Sequence, residues 1–92
     1  MNLDKLKNRK QKLLERLSEL SEVIEGSFFK REINGYERYY LSRMIGKKQQ
    51  QKYIKKKNVD TIRKGIKQHQ ELLEIVKELT EINLKLLKEE TD

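Results

Sequence analysis

Apolar residues recur at a heptad spacing along the first 25 residues of the chain. The repeating positions are Leu3, Leu6, Leu13, Leu17, Leu20 and Ile24. They correspond to the a and d positions of one register, interrupted only by Lys10, and Leu14 and Val23 widen the stripe. We expect an amphipathic helix over residues 1–25. Gly26 would end it, because glycine accepts the left-handed conformation that closes many helices.

The middle of the chain contains strand-like runs separated by glycine-containing turns. The strands are expected at residues 27–33, 36–45 and 49–55. Asn34-Gly35 between two such runs is typical of a two-residue hairpin, since both residues tolerate positive φ. Gly46-Lys47 could form the next tight turn. The pattern therefore predicts a three-stranded antiparallel β-meander within residues 27–56.

The remainder of the chain predicts a second long helix over residues 58–90, with Asn58 as its N-cap and Asp60 complementing the helix dipole. One apolar row contains Ile62, Ile66, Leu73, Val76 and Leu87. An adjacent row contains Leu72, Ile75, Leu79, Ile82 and Leu86. This face is broader than a shorter partner helix can cover, so we expect the second row to form a homodimer interface. Gly65 weakens the helix by about 1 kcal/mol relative to alanine. A glycine at this point either allows another segment to pack closely or marks a bend.

The order of charges along the two helices predicts how they pack. In each predicted helix a cluster of basic residues is followed by a cluster of acidic residues. An antiparallel arrangement sets each basic end beside an acidic end, whereas a parallel one sets like beside like. We therefore expect an α+β fold in a single domain over residues 1–92. It has an N-terminal helix, a three-stranded antiparallel meander and a long C-terminal helix, with the helices packed antiparallel as in a coiled coil.

The composition excludes several kinds of site. There is no cysteine and only one histidine, His69, so we expect no disulfide, no metal site and no cofactor. No glycine-rich phosphate loop or recognisable catalytic grouping occurs, and we interpret the protein as a non-enzyme. No apolar run approaches the roughly 20 residues of a membrane span, and the polar N-terminus is unlike a secretory signal. The expected compartment is the cytoplasm.

Positive charge is concentrated in the middle of the chain. The whole protein carries a formal charge of +7, but residues 26–70 alone carry +10, and residues 71–92 carry −4. Lysine and arginine neutralise phosphates, glutamine and arginine reach base edges, and tyrosine stacks or binds phosphate. The candidate nucleic-acid-binding residues are Arg38, Tyr40, Arg43, Lys47, Lys48, Gln51, Lys52, Tyr53, Lys55, Lys56, Lys57, Arg63, Lys64 and Lys67. A solvated lysine-rich sheet face is the structural alternative, and an acidic protein partner is the functional one.

Several short segments together resemble a known family. They are Gly26-Ser27-Phe28, Tyr39-Tyr40-Leu41-Ser42-Arg43, Gly46-Lys47, Tyr53-Ile54 and the run from Leu79 to Leu84. In this order they resemble an uncharacterised family of small proteins that occur with transposases and other mobile-element proteins. The resemblance implies the same fold and a mobile-element setting. The cysteine-rich knuckle typical of that family is absent here, and the run from Lys30 to Asn34 stands in its place.

Two functional hypotheses follow from these patterns. The first is a small basic nucleic-acid-binding module of a mobile genetic element, with DNA ahead of RNA, which contacts phosphates through the sheet and the start of the second helix. The second is a coiled-coil interaction protein, or a phage- or plasmid-borne inhibitor or adaptor that binds a nucleic-acid enzyme. Both are compatible with a homodimer, and neither involves a membrane.

Overall fold

The computed structural model describes residues 3–91, and the side chains of residues 3–88. The elements are α1 (Leu3–Ser18), β1 (Ser27–Ile33), β2 (Tyr36–Ile45), β3 (Lys48–Ile54), a 3-10 turn (Lys56–Asn58) and α2 (Val59–Thr91). The α+β class and the element order expected from the sequence are confirmed. Residues 1 and 2, the start of the predicted first helix, lie outside the described residues.

The chain forms two compact units, and α2 contributes to both. Within the described residues, the helical unit comprises 3–21 and 70–91, and the sheet unit comprises 22–69. Each unit has its own cluster of buried apolar residues. The expectation of a single domain stays a prediction.

The helical unit pairs α1 with the second part of α2 in opposite directions. Its core contains the buried Leu13, Ile75 and Ile82, against which Leu6, Leu17, Leu20, Leu79 and Leu86 pack. Arg9 Nε donates to Glu78 Oε1 at 2.7 Å, and Arg16 Nη2 donates to Glu71 Oε1 at 2.8 Å. Residue numbers rise along α1 as they fall along α2, so the antiparallel packing predicted from the charge order is confirmed.

These interhelical ion pairs shift the pKa values of their members. The hydrogen bond and the charge of Glu78 raise the pKa of Arg9, and the hydrogen bonds from Arg9 and Arg16 lower the pKa values of the Glu78 and Glu71 carboxyls. All four side chains remain substantially exposed. Exposed pairs contribute little net stability, so they specify the direction of packing more than its strength.

The first helix ends at Ser18, seven residues before the predicted end at residue 25. Ser18 Oγ donates to the Glu15 carbonyl at 2.6 Å, and Glu19 N donates to the Arg16 carbonyl at 3.0 Å. The bond from Glu19 is a backbone i to i+3 bond, which tightens and closes the last turn of a helix. The Ser18 hydroxyl adds a side-chain bond to the same turn. Leu20 still packs on the helical core, but the backbone that carries it is no longer helical.

The segment after α1 is attached to α2 at Gly65. Ile24 N donates to the Gly65 carbonyl at 3.0 Å, and a Cβ on residue 65 would lie 2.6 Å from the Glu22 carbonyl oxygen. Of the two alternatives at this glycine, close packing or a bend, the structure shows close packing. Gly26 is not a helix cap. It has φ +151° and is the first residue before β1, where a Cβ would lie 2.8 Å from Leu41 Cδ1.

The sheet has the order β1-β2-β3 with antiparallel neighbours, as predicted. Ile33 pairs with Tyr36 across a two-residue turn in which Asn34 and Gly35 have φ of 52° and 82°. Gly46, with φ 64°, is the first residue of the second two-residue turn. Both predicted turns are therefore confirmed, and both are set by residues that accept positive φ.

The core of the sheet unit lies between the sheet and the start of α2. Leu41, Ile54 and Val59 are buried, and Ile24, Phe28, Tyr39, Ile62 and Ile66 pack around them. The strand predicted at 49–55 is shifted by one residue, to Lys48–Ile54. A 3-10 turn occupies the expected capping position Asn58, so α2 begins at Val59. No helix within residues 3–91 is long and apolar enough to cross a lipid bilayer.

Candidate functional site

The strand register divides the sheet into an inner and an outer face. Cross-strand partners share a face, and successive residues along a strand alternate between faces. The inner face carries Leu41 and Ile54 into the core. The outer face consists of Ser27, Phe29, Arg31, Ile33, Tyr36, Arg38, Tyr40, Ser42, Met44, Gln49, Gln51 and Tyr53.

Three aromatic side chains form a row across the outer face, one from each strand. Tyr40 is paired with Phe29 on one side and with Tyr53 on the other. The Phe29 and Tyr40 ring centroids lie 5.5 Å apart with an interplanar angle of 18°, and the Tyr40 and Tyr53 centroids lie 6.0 Å apart at 70°. Tyr53 is 53% exposed, and the other two rings are half-buried. We call these three residues the aromatic row.

Two exposed arginines lie against this row. The Arg31 guanidinium carbon lies 5.4 Å from the Phe29 centroid and 5.7 Å from that of Tyr40, and the Arg38 guanidinium carbon lies 6.0 Å from the Tyr53 centroid. These distances are in the range of cation–π contacts. The two arginines are also direct cross-strand partners. The outer face thus places two planar cations over three rings.

The acidic residues of the strands lie on the other face. Among residues 27–54, all of them described, the only acidic residues are Glu32 and Glu37, and both are on the inner face. Lys30 Nζ donates to Glu37 Oε1 at 3.2 Å and Tyr39 Oη donates to Glu37 Oε2 at 3.3 Å, so the hydrogen bond and charge of Lys30 first, and then Tyr39, lower the pKa of this carboxyl. No strand carboxylate therefore faces the two outer arginines.

The inner face contributes to a second basic surface, which is an open groove of about 690 Å³. Five of the predicted site residues line this groove together with Glu25 and apolar side chains of the sheet core; they are Arg43, Lys52, Tyr53, Lys55 and Lys57. Tyr53 belongs to both the groove and the aromatic row, and the other strand residues that line the groove are on the inner face, so we call it the inner groove.

The remaining predicted basic residues are dispersed. Lys47 is in the β2–β3 turn, Lys48 begins β3 on the inner face, Lys56 is in the 3-10 turn and Lys67 is exposed on α2. Two others already have partners within the sheet unit. The Arg63 guanidinium carbon lies 5.0 Å from the Phe28 ring centroid, and Lys64 Nζ lies 3.4 Å from Glu22 Oε2.

The outer face brings together four of the predicted residues, Arg38, Tyr40, Gln51 and Tyr53, and adds two that were not predicted, Phe29 and Arg31. The sequence contains a signal for both. A two-residue turn at Asn34-Gly35 fixes every β1–β2 pair, which places Phe29 beside Tyr40 and Arg31 beside Arg38.

The predicted dimer interface is largely occupied within one chain. Ile75 and Ile82 are 4% and 5% exposed in the helical core, where Leu79 and Leu86 pack against them, and Leu72 is half-buried. Because α1 already covers the two isoleucines, they are not available to a second subunit. The apolar side chains of α2 that reach solvent include Leu73, Val76 and Leu84.

Comparison with known proteins yields a match to one family model. Residues 3–64 match a family model described as "Domain of unknown function (DUF6788)". No curated protein and no solved structure matches the chain. The family description carries no link to transposases or mobile elements. Among the described residues, no group of three His, Asp or Glu side chains is placed to hold a metal ion.

Proposed function

Because this chain belongs to the DUF6788 family, whose description assigns no activity, we propose from its surface chemistry that it binds nucleic acid through the outer face of the sheet. In this proposal Arg31 and Arg38 neutralise phosphates, and the aromatic row and the exposed Gln51 contact sugars or bases. The basic residues elsewhere in the sheet unit add longer-range attraction.

The observation that carries the proposal is the pairing of Arg31 with Arg38 on a face without strand carboxylates. Like charges directly opposite each other on a sheet destabilise it, so an anionic partner between them would remove an unfavourable interaction. The guanidinium group binds phosphate through two parallel hydrogen bonds, which makes arginine well suited to this role.

The polar residues beside the arginines suit contacts with bases. Gln51 and Gln49 are exposed on the outer face, where Gln49 Nε2 donates to Ser42 Oγ at 2.7 Å. Glutamine can offer a donor and an acceptor together to the edge of adenine. Phosphate contacts by the arginines would position the nucleic acid, and contacts by the glutamines would add base preference.

Two features of the sequence-based hypothesis remain part of this proposal. One is the mobile-element setting, which rests on the resemblance of the Tyr39–Arg43 and Gly46-Lys47 segments alone. The other is the basic start of α2. We propose that it contributes less to binding than the outer face, because Arg63 and Lys64 already contact Phe28 and Glu22. A cytoplasmic location would give such a protein access to nucleic acid.

An interaction protein is the second candidate. Leu73, Val76 and Leu84 are exposed on α2 in a chain where 40% of the residues are charged. Exposed apolar side chains on one helix favour a helical partner, and we propose a second copy of this chain in that role. Such a dimer is compatible with nucleic-acid binding, because its contacts and the aromatic row use different side chains.

The proposal is tested by comparing charge removal on the two faces of the sheet. The first variant combines Arg31→Gln with Arg38→Gln on the outer face. The matched control combines Arg43→Gln with Lys52→Gln on the inner face, and removes the same charge. Fluorescence anisotropy with labelled single-stranded DNA, RNA and duplex DNA at two salt concentrations measures affinity and its salt dependence.

We expect the outer-face variant to bind more weakly than the inner-face control. Its affinity should also depend less steeply on salt, by the equivalent of about two phosphate contacts, since each neutralised phosphate contributes roughly 0.7 to 0.9 to the slope of log affinity against log salt. The inner-face control should retain most of its affinity. Equal losses in the two variants, or no binding of any probe by the wild-type protein, would contradict the proposal.

A further inference from the structure

We infer that the nucleic acid bound by this protein is single-stranded, with bases stacking on the uncovered faces of Phe29, Tyr40 and Tyr53. This inference rests on the proposed function and specifies its ligand. Phe29 becomes a stacking residue, and the contacts of the aromatic row are what select a single strand over a duplex.

The position of the aromatic row favours bases over phosphates. The three rings occupy the middle of the outer face, and the arginines lie beside them on β1 and β2. In a duplex the flat faces of the bases are covered by their neighbours, and only base edges and the backbone reach a protein. In a single strand the bases can be splayed out and can stack on aromatic side chains.

The spacing of the rings also fits separated bases. Neighbouring centroids are 5.5 Å and 6.0 Å apart, whereas bases in a duplex strand repeat at about 3.4 Å. A stacked helical strand could not place successive bases on successive rings at this spacing. The Phe29 and Tyr40 rings stack on each other, so the facing sides of these two rings are already covered. An extended strand that runs across β1, β2 and β3 could place its bases on the ring faces that remain uncovered.

The arginines mark the space that the bases would occupy. The Arg31 guanidinium is a planar cation that already lies over two rings of the row, and Arg38 lies over the third. Both side chains are exposed, and each guanidinium is carried on a flexible stem. A base can therefore replace the guanidinium over the ring while the arginine turns to the adjacent phosphate, so stacking and charge neutralisation use the same residues.

The inference is tested with matched oligonucleotides of about ten nucleotides, a length within the range that one small sheet domain covers. The probes are oligo(dT), oligo(U) and a duplex DNA of the same length. Tyr40→Leu and Tyr53→Leu remove a ring without changing charge, and Tyr40→Phe and Tyr53→Phe retain it. The control is Tyr36→Leu, because Tyr36 is on the same face and 72% exposed but lies outside the row. Thermal unfolding verifies that each variant is folded.

We expect a single strand to bind more tightly than the duplex, and each leucine variant in the row to lose about tenfold in single-strand affinity. The phenylalanine variants and Tyr36→Leu should stay within about twofold, since stacking tolerates the loss of a hydroxyl. Oligo(dT) and oligo(U) distinguish DNA from RNA as the single strand.

The two levels of the hypothesis fail in different ways. If the duplex binds as tightly as the single strands, or if the leucine variants match Tyr36→Leu, the single-strand inference is wrong. The proposed function still stands in that case if the outer-face arginine variant loses affinity. If no probe binds the wild-type protein, both are wrong.

Discussion

Arg31 and Arg38 are direct cross-strand partners on β1 and β2, and no acidic residue of the strands, all of which are described, shares their face. The inner face of the same two strands pairs Lys30 with Glu37 at 3.2 Å. The two strands therefore place a carboxylate beside a cation on the side that meets the core, and none beside the two arginines on the side that meets solvent. This asymmetry is the feature from which the functional account proceeds.

The single substitution Arg31→Gln should separate binding from stability. Relief of the repulsion contributes about 0.2–1 kcal/mol, and loss of the contact with Phe29 and Tyr40 costs about 0.5–1 kcal/mol. The two effects offset each other, so we expect the free energy of unfolding to stay within about 0.5 kcal/mol of the wild type. Affinity for a single-stranded probe should fall, with a salt slope shallower by about 1.

Urea unfolding and anisotropy across salt concentrations measure these two quantities. A variant with a large loss of stability would mean that Arg31 is mainly structural. Unchanged affinity in the variant would mean that Arg31 is not part of the binding surface.

Gly65→Ala should destabilise the protein although alanine is the better helix former. The substitution gains about 0.8–1 kcal/mol in helix propensity. The new Cβ would lie 2.6 Å from the Glu22 carbonyl oxygen and from Ile24 Cγ1, and overpacking of this kind costs about 1–3 kcal/mol. We therefore expect a net loss of about 1 kcal/mol, measured by thermal or urea unfolding.

Gln70→Ala is the matched control for the glycine substitution, because Gln70 is exposed on the same helix. Its effect should be within about 0.5 kcal/mol. If Gly65→Ala instead raised the unfolding midpoint, the segment around Ile24 would not pack on α2 as closely as the structure shows.

Acid should weaken the helical unit through Glu71 and Glu78. The arginine partners lower the pKa values of both carboxyls, so the ion pairs contribute stability above the ordinary carboxyl pKa of about 4.3 and lose it as the pH falls through the folded-state values. In Glu78→Gln the contact with Arg9 does not titrate. We expect its unfolding midpoint to fall less steeply below about pH 4.5 than that of the wild type.

Glu74→Gln removes the same charge from α2 and retains the contact between Arg9 and Glu78, so it should keep the steep acid dependence. Unfolding midpoints measured by circular dichroism from pH 7 to pH 3 compare the three proteins. Identical slopes in the wild type and Glu78→Gln would show that the pair makes no pH-dependent contribution.

The dimer proposal distinguishes two leucines that are two residues apart. Leu84 is 61% exposed, whereas Leu86 packs against the buried core of the helical unit. Leu84→Lys should weaken self-association and leave the unfolding free energy within about 0.5 kcal/mol, while Leu86→Lys should destabilise the protomer by about 1–3 kcal/mol. Sedimentation across concentration and urea unfolding measure the two effects. A wild-type protein that stays monomeric at high micromolar concentration would end the dimer proposal.

Local turn chemistry made most of the sheet predictable from sequence. Asn34-Gly35 and Gly46 have positive φ, and residues that accept it easily are few, so the two turns could be placed to the residue. The alternation of Arg38 and Tyr40 against Leu41 then identified which face is exposed. Phe29 and Arg31 were missed because the register implied by the first turn was not carried into β1.

The end of α1 could not be predicted from periodicity alone. Ile24 continues the heptad that begins at Leu3, yet it packs with the sheet core and its amide binds the Gly65 carbonyl. A heptad position indicates burial but not the partner that buries it. The same limit applies to the predicted dimer interface. Ile75 and Ile82 are buried, as their positions in the apolar rows indicate, but they are buried by α1 of the same chain.

The most direct measurement is an amide NMR titration of the labelled protein with a short oligo(dT) or oligo(U) strand. The account predicts that the largest shift changes cluster on the outer face, at Phe29, Arg31, Arg38, Tyr40 and Tyr53, while Glu71 and Glu78 in the helical unit change little. Shift changes confined to the inner groove, around Arg43 and Lys52, with the aromatic row unperturbed at saturation, would contradict it.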